Sequence, residues 1–192
     1  SFNAIAEAKM QEAMREFVNS KSQTLILDLR GNPGGYLQSA VSIASFYLPT
    51  GKVVVRESFG ENKEEKIYRS QGKTIKDFNP KNFVVLVDNG SASASEILAG
   101  ALEEHGVATV IGTNTFGKGS VQELIDLPSG AALKVTVARW LTPNGVSISE
   151  KGLEPNILIT RTPKQRLEGV DPQQDSAINF LKGKEVKSEE KQ

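Results

Sequence analysis

Two spacings of hydrophobic residues recur along the chain, and they predict different elements. Apolar residues at intervals of three and four predict amphipathic helices over residues 5–18 and 37–48. Short apolar runs rich in β-branched residues predict buried strands at residues 24–29 and 83–87. A segment of small residues then leads into a third predicted helix that ends near Glu104. Strands that alternate with helices in this way predict an α/β domain.

Other parts of the chain carry weaker patterns. Further strands are predicted at residues 52–58, 67–68, 108–111, 121–127 and 131–138. The last two flank Pro128-Ser129-Gly130, which is typical of a hairpin turn. We take residues 1–163 as the core domain. Residues 164–192 are polar and form a predicted tail, with a short helix near residues 175–181 and disorder over residues 182–192.

Composition narrows the chemistry that the chain can perform. The 192 residues include one histidine, His105, and no cysteine. The lack of cysteine excludes a disulfide framework, a thiolate nucleophile and Cys-ligated zinc, and a single histidine excludes a two-His metal motif. The 23 basic and 23 acidic residues balance, so no charge pattern points to nucleic acid. No apolar run is long enough to span a membrane, and a start at Ser1-Phe2 without methionine or signal peptide is typical of a fragment or trimmed chain.

His105 could be the base of a Ser-His-Asp triad only if it lay beside a nucleophile. The candidate nucleophile Ser93 lies twelve residues earlier, at the start of the same predicted helix. At ~1.5 Å per residue the two are on the order of 18 Å apart, so His105 cannot be the base for Ser93. Its place just before Gly106 indicates a residue at the helix C-terminus, where a cation is favoured.

The glycine-rich segment 112–119 nearly matches the phosphate-binding motif G-x-x-x-x-G-K-[ST], and it follows a predicted strand. Gly119 stands where that motif needs a hydroxyl for magnesium. The residues that follow are strand-like, whereas a phosphate loop needs a helix N-terminus. The pattern therefore favours a glycine-rich turn with a solvated lysine over a nucleotide site.

Ser93 stands at a predicted strand-to-helix junction, where a hydroxyl can lie in the open while the next backbone N–H points to the same space. The same residues, Ser93-Ala94-Ser95-Glu96, also fit a capping box, with serine at the N-cap and glutamate three residues on. Small Ala92 and Ala94 leave room for a reacting carbonyl beside the hydroxyl. The pattern alone leaves both roles open, with capping the more common outcome.

The turn over residues 28–35 contains three glycines, which permit positive φ and a close approach of the backbone. Backbone N–H groups in such a loop can form an oxyanion hole. The alternative is a plain strand-to-helix turn in which Arg30 and Asp28 form a structural ion pair.

Together these segments resemble the C-terminal processing peptidases, also called tail-specific proteases, a family of serine peptidases. The resemblance rests on four ordered motifs within about residues 24–157. These are Asp28-Leu29-Arg30-Gly31-Asn32-Pro33-Gly34-Gly35; Asn89-Gly90-Ser91-Ala92-Ser93-Ala94-Ser95-Glu96-Ile97 with Ala99-Gly100-Ala101-Leu102; Thr115-Phe116-Gly117-Lys118-Gly119-Ser120-Val121-Gln122; and Leu141-Thr142-Pro143-Asn144-Gly145 with Gly152-Leu153-Glu154-Pro155.

The resemblance implies a role for each matching residue. Ser93 is the nucleophile, and Lys118, twenty-five residues later as in that family, is its general base. Gln122 orients the lysine. Ala94 N–H and one N–H of the Gly34-Gly35 turn form the oxyanion hole, while Glu96 matches a family glutamate and keeps its capping role. Such a dyad needs neither histidine nor cysteine, although a lysine can act as a base only when it is neutral.

The resemblance also sets expectations for the whole protein. It implies the crotonase-like ββα superhelix, of which this chain would hold the catalytic core without the upstream PDZ domain. It implies an endopeptidase that cleaves protein substrates near free C-termini through an acyl-enzyme, with no cofactor or metal and no nucleic acid partner, acting outside the cytoplasm in the periplasm or cell envelope. A homo-oligomer of the full-length protein is also expected.

Two other classes of function remain open. The first is an inactive peptide-binding or regulatory module of the same fold. The second is an acyl-CoA enzyme of crotonase type, with an oxyanion hole but no Ser-Lys pair.

Overall fold

The computed structural model describes residues 1–76, 78–128, 130–149 and 151–190. The helices are α1 (Ala6–Asn19), α2 (Leu37–Ala44), α3 (Ala94–Glu104), α4 (Pro163–Leu167) and α5 (Pro172–Leu181). The strands are β1 (Leu25–Asp28), β2 (Val53–Ser58), β3 (Lys66–Arg69), β4 (Phe83–Val87), β5 (Thr109–Gly112), β6 (Ser120–Asp126), β7 (Ala132–Leu141) and β8 (Ile157–Leu158). In this described part, none of the helices is long and apolar enough to cross a membrane. The predicted α/β class is confirmed.

A parallel sheet with the order β1-β4-β5-β8 forms the centre of the fold. Its strand β4 is buried along its whole length because both faces of the sheet are covered. Phe83, Val85 and Val87 belong to the larger core, which includes residues of α1, α2 and α3. Val84 and Leu86 point the other way, into a smaller core completed by α5. An apolar run without alternation is therefore what this strand requires.

A second sheet is antiparallel, with the order β3-β2-β7-β6. Helix α3 packs against β5 of the first sheet and β2 of the second, so it joins the two layers. The predicted hairpin of β6 and β7 is present, although Ser129 of its predicted turn lies outside the described residues. The far part of this hairpin exposes apolar side chains, among them Leu124 and Leu133.

The structure corrects the expected disorder of residues 182–192 over the part that it describes, up to residue 190. Glu189 N–H donates to Leu158 O at 2.8 Å, and Leu158 N–H donates to Ser188 Oγ at 2.9 Å. Val186 packs against the smaller core. The polar tail is ordered because the backbone groups of β8, at the edge of the parallel sheet, give it hydrogen-bond partners. Lys191 and Gln192 lie outside the described residues.

Three smaller differences concern the end of one helix and two short elements. Helix α2 ends at Ala44, earlier than the predicted residue 48. The sequence pattern did not predict β8, because two residues are too short for a periodicity. It also missed α4, whose start is a capping box formed by Thr162 and Gln165.

Candidate active site

The candidate site lies at the edge of the parallel sheet where β1, β4 and β5 end, since parallel strands bring their carboxyl ends together. Each strand is followed by a turn, and hydrogen bonds join the three turns. Asp88 Oδ1 accepts the N–H groups of Gly31 at 2.8 Å and Gly90 at 2.9 Å. Phe116 N–H donates to Ser91 O at 3.0 Å. The segments that carry the predicted site residues are therefore neighbours in space.

Ser93 occupies a strained backbone conformation at the start of α3, with φ 55° and ψ −115°. A positive φ is uncommon for a residue other than glycine, and such strain is characteristic of functional turns. An ordinary N-cap residue is extended. The Ser93 side chain stands towards the Glu96 N–H as in a capping box, but no hydrogen bond of acceptable geometry joins them, whereas the Glu96 half of the box is present. Ser93 is partly exposed, and its hydroxyl stands in the capping position without a well-formed hydrogen bond to the Glu96 N–H.

Glu96 is fully buried, and its carboxylate accepts four hydrogen bonds from two segments, the start of α3 and the loop over residues 115–118. Oε2 accepts Ser93 N–H at 2.7 Å and Lys118 N–H at 3.0 Å. Oε1 accepts Gly117 N–H at 2.7 Å and the Thr115 hydroxyl at 2.5 Å. A buried carboxylate is tolerated only when such donors satisfy it. Two backbone N–H groups, those of Ser93 and Lys118, are thus held on one oxygen atom.

Thr115 extends this network to the next motif along the chain. Its hydroxyl donates to Glu96 and accepts the Leu153 N–H at 2.7 Å, while its own N–H donates to Leu153 O at 3.1 Å. A Cβ at Gly152, where φ is 66°, would lie 2.7 Å from Thr115 Oγ1. The fourth motif therefore supports the loop that carries Lys118. Sequence reasoning missed Thr115, and only its place within a motif could have drawn attention to it.

The Lys118 side chain is exposed, in contrast to its buried backbone anchor Glu96. Across the described ranges, no hydrogen bond joins Lys118 Nζ to Ser93 Oγ. Gln122 lies in β6, exposed, next to a shift of register between β6 and β7. The structure thus brings the backbones of Ser93 and Lys118 together, whereas no hydrogen bond connects the side chains of Ser93, Lys118 and Gln122.

The glycine turn after β1 lies directly against the Ser93 turn. A Cβ at Gly34, where φ is 92°, would stand 2.5 Å from Ala92 O and 2.8 Å from Ala94 N. Ala92 N–H donates to Asn32 O at 3.0 Å. Only glycine allows both this φ and this separation of the two backbones.

The N–H groups of the predicted oxyanion hole differ in how they are used. Gly34 N–H donates to Asn32 Oδ1 at 3.0 Å. Phe2 pairs with the glycine turn through Gly34 O and Tyr36 N–H, which directs Gly35 N–H away from Phe2. As far as the structure describes the chain, neither Gly35 N–H nor Ala94 N–H makes a hydrogen bond.

The structure also shows where neighbouring groups lie. Arg30 and Asp28 form the ion pair that the alternative interpretation of this turn included, with Nη2 to Oδ2 at 2.7 Å and Nε to Oδ1 at 2.9 Å. This pairing outweighs burial and raises the pKa of Arg30 above its usual value. His105 is the C-cap residue of α3, far from Ser93 along the helix. Strand β6, not a helix, follows the glycine-rich segment, so that segment lacks the helix N-terminus of a phosphate loop.

No group of three or more His, Cys, Asp or Glu side chains that could hold a metal ion occurs among residues 1–76, 78–128, 130–149 and 151–190.

Known proteins with related sequences include two bacterial proteases. The chain is 39% identical over 165 residues to the carboxy-terminal-processing protease of Bartonella bacilliformis. The alignment covers 86% of this chain and 37% of that protein. It is 44% identical over 148 residues to the carboxy-terminal processing protease CtpB of Bacillus subtilis, covering 77% of this chain and 30% of that protein. The chain thus spans about a third of the length of these relatives.

Solved structures show the same architecture. The photosystem II D1 C-terminal processing protease superposes with a TM-score of 0.75 at 37% identity, covering 83% of this chain and 40% of that one. Mature CPAF, at 15% identity and a TM-score of 0.69, shares the fold alone. The family model described as peptidase family S41 matches residues 1–159. The resemblance drawn from the four motifs is confirmed, and the chain belongs to peptidase family S41.

Proposed function

We propose that the protein is a serine endopeptidase that cleaves protein substrates near their C-termini, with Ser93 as nucleophile and Lys118 as general base. The observation that carries the proposal is the shared anchor on Glu96. Because Ser93 N–H and Lys118 N–H bind the same oxygen, the two residues start from fixed and neighbouring backbone positions. Such positioning is what a nucleophile and its base require.

The proposed reaction has two halves. Ser93 Oγ attacks the carbonyl carbon of the scissile peptide bond, and its proton passes to Lys118 Nζ. The tetrahedral intermediate then collapses, the C–N bond breaks, and Lys118 returns the proton to the leaving amine. In the second half Lys118 takes a proton from a water molecule, whose oxygen attacks the ester carbon. The bond from that carbon to Ser93 Oγ then breaks, Lys118 returns the proton to Oγ, and the new C-terminal carboxylate leaves.

The unpaired N–H groups support an assignment of the oxyanion hole. Gly34 N–H already donates to Asn32, which leaves Gly35 N–H as the available donor of the glycine turn. Ala94 N–H is the second donor, at the N-terminus of α3, where the helix dipole favours negative charge. Donors held in place before reaction stabilise the developing oxyanion by about 3–4 kcal/mol each.

The exposed side chain of Lys118 must lose its contact with water before it can act as a base. A lysine becomes a base when its ammonium group is desolvated, and the described residues leave this side chain open to water. In the proposed complex the substrate covers Lys118, and Gln122 orients its Nζ. Location outside the cytoplasm and assembly as a homo-oligomer stay predictions from the family resemblance.

The decisive experiment combines peptide hydrolysis with fluorophosphonate labelling of the intact protein. Ser93→Ala should abolish both, whereas Ser39→Ala removes a hydroxyl that donates to Asn3 O and should change neither. Hydrolysis that survives Ser93→Ala would refute the assignment. A wild-type protein that binds peptides but neither hydrolyses them nor reacts with the probe would instead indicate an inactive binding module.

A further inference from the structure

The segment after β8 returns to the candidate site, although it lies beyond residue 159, where the family match ends. It forms α4 and α5, and α5 packs on β4 and β5. Between the two helices, Asp171 is the N-cap of α5 and accepts Gln174 N–H at 3.0 Å. The chain thereby places a mostly buried carboxylate beside the turn that follows β1.

Asp171 connects this segment to Arg30, which precedes the first glycine of the glycine turn. Arg30 Nη1 donates to Asp171 Oδ1 at 2.8 Å and to Gln173 Oε1 at 3.0 Å. The other oxygen of Asp171 accepts Arg161 Nη1 at 3.1 Å. Gln173 is 1% exposed, and its Nε2 donates to Ile159 O at 2.9 Å, so its amide is fixed at both ends.

A second link runs through Asp88. One of its oxygens accepts the N–H groups of Gly31 and Gly90, and the other lies 3.4 Å from Arg166 Nη2. Arg166 belongs to α4 and is mostly exposed, so this link is the weaker one. Both links end on the two residues with which the glycine turn starts, Arg30 and Gly31.

We infer that the segment from Arg161 to Gln173 positions the glycine turn, with Asp171 and Gln173 as positioning residues that act through Arg30. Arg30 makes a forked contact to both oxygens of Asp28. Its remaining nitrogen, Nη1, donates to Asp171 and Gln173, so the guanidinium is fixed in orientation as well as in distance. Arg30 is held by Asp28 from its own strand and by Asp171 from the C-terminal segment. The inference rests on the proposed function, because it assigns this support to the turn that would carry the oxyanion donor.

The test compares Asp171→Ala, Asp171→Asn and Asp175→Asn in the intact protein. Asparagine keeps a cap acceptor and a neutral acceptor for Arg30, so it should restore part of what alanine loses. Asp175 is an exposed acid in the first turn of the same helix and controls for the change of charge. The maximal rate of fluorophosphonate acylation should fall about tenfold in Asp171→Ala, less in Asp171→Asn, and not in Asp175→Asn.

Hydrogen exchange separates positioning from loss of stability and does not depend on activity. In Asp171→Ala the N–H groups of Gly31 and Gly34 should exchange faster relative to those of β4, which report global unfolding. Equal acceleration at all of these sites, or none, would overturn the inference. If wild-type protein reacts with no probe, the proposed function fails, while the exchange of Gly31 and Gly34 still decides this inference.

Discussion

The proposed nucleophile and the proposed base are supported in different ways. Ser93 lies between buried Ala92 and Ala94, at a junction held by the parallel sheet and by α3. Lys118 shares the backbone anchor Glu96, but its side chain is exposed, and its loop continues into a hairpin with an open apolar end. The fold thus holds Ser93 and the neighbouring N–H donors in position before substrate binds. For Lys118 it fixes the backbone and leaves the side chain exposed.

The largest effect on stability is expected from replacement of Glu96, which binds the backbone of both Ser93 and Lys118. Glu96→Ala leaves three N–H groups and one hydroxyl without their acceptor, and each buried unsatisfied donor costs about 1–3 kcal/mol. We expect the free energy of unfolding, measured by urea denaturation, to fall by at least about 3 kcal/mol. Probe labelling of Ser93 should be lost as well.

Glu123→Gln provides the matched control, because Glu123 is an exposed carboxylate in β6. Its effect on the free energy of unfolding should stay within about 0.5 kcal/mol. If Glu96→Ala changed the free energy of unfolding as little, Glu96 would not hold the segments of Ser93 and Lys118 together.

The next prediction compares two glycines of the same turn and separates a steric clash with the Ser93 turn from the cost of backbone strain alone. Gly34→Ala places a Cβ 2.5 Å from Ala92 O and 2.9 Å from Ser93 Cβ. Gly31→Ala, at φ 63°, meets nothing within 4 Å and costs only the left-handed conformation, about 1 kcal/mol. Acylation of Ser93 should fall about 100-fold in Gly34→Ala, by displacement of an oxyanion donor, and far less in Gly31→Ala. Similar rates in the two variants would contradict a tight contact between the turns.

Lys118→Ala should reduce catalysis without reducing stability, because the side chain is exposed. Loss of a general base lowers kcat/KM about 10²–10⁴-fold, while an exposed substitution changes the free energy of unfolding by less than about 0.5 kcal/mol. In the wild-type protein kcat/KM should rise with pH as the base loses its proton, and this rise should disappear in the variant. A wild-type profile that is flat from about pH 6 to about pH 9 would argue against a lysine base.

The smallest effect on stability is expected from Asp171, which binds Arg30 of the glycine turn. Burial alone would raise the pKa of Asp171, but hydrogen bonds from Arg30 and Gln174 N–H and the charge of Arg161 lower it. A carboxyl with a lowered native pKa adds stability above its unfolded pKa, about 3.9, and loses it as the pH falls through the native value. Asp171→Asn should therefore be less stable by about 1 kcal/mol at pH 7. Urea denaturation should show this difference shrinking below about pH 4, and a difference independent of pH would contradict the ion pair.

The sequence predicted the elements of the core well because their patterns are long or strongly apolar. Strand β4 was predicted with its observed ends, and the helix after Ser93 ends at Glu104 as expected. The prediction failed for the ordered segment up to residue 190, whose contacts include hydrogen bonds to β8 and to Thr160 and the apolar side chain of Val186. Such contacts leave no periodic signal in the chain.

In the candidate site, too, the sequence indicated the local contacts but not the long-range ones. The capping-box spacing correctly joined Glu96 to Ser93 N–H, because that contact is local. The same carboxylate also binds Gly117 N–H and Lys118 N–H, more than twenty residues later, which a local pattern could not indicate.

By itself, the sequence determined the α/β class, the family and the residue types at the site, because periodicity and ordered motifs are properties of neighbouring positions. Only the tertiary structure decided that one buried carboxylate joins the turns of Ser93 and Lys118, that Gly35 and Ala94 keep N–H groups without a partner among the described residues, and that Asp171 supports the glycine turn. These features depend on which strand ends meet and on which donors are already satisfied, and both are fixed only when distant segments pack together.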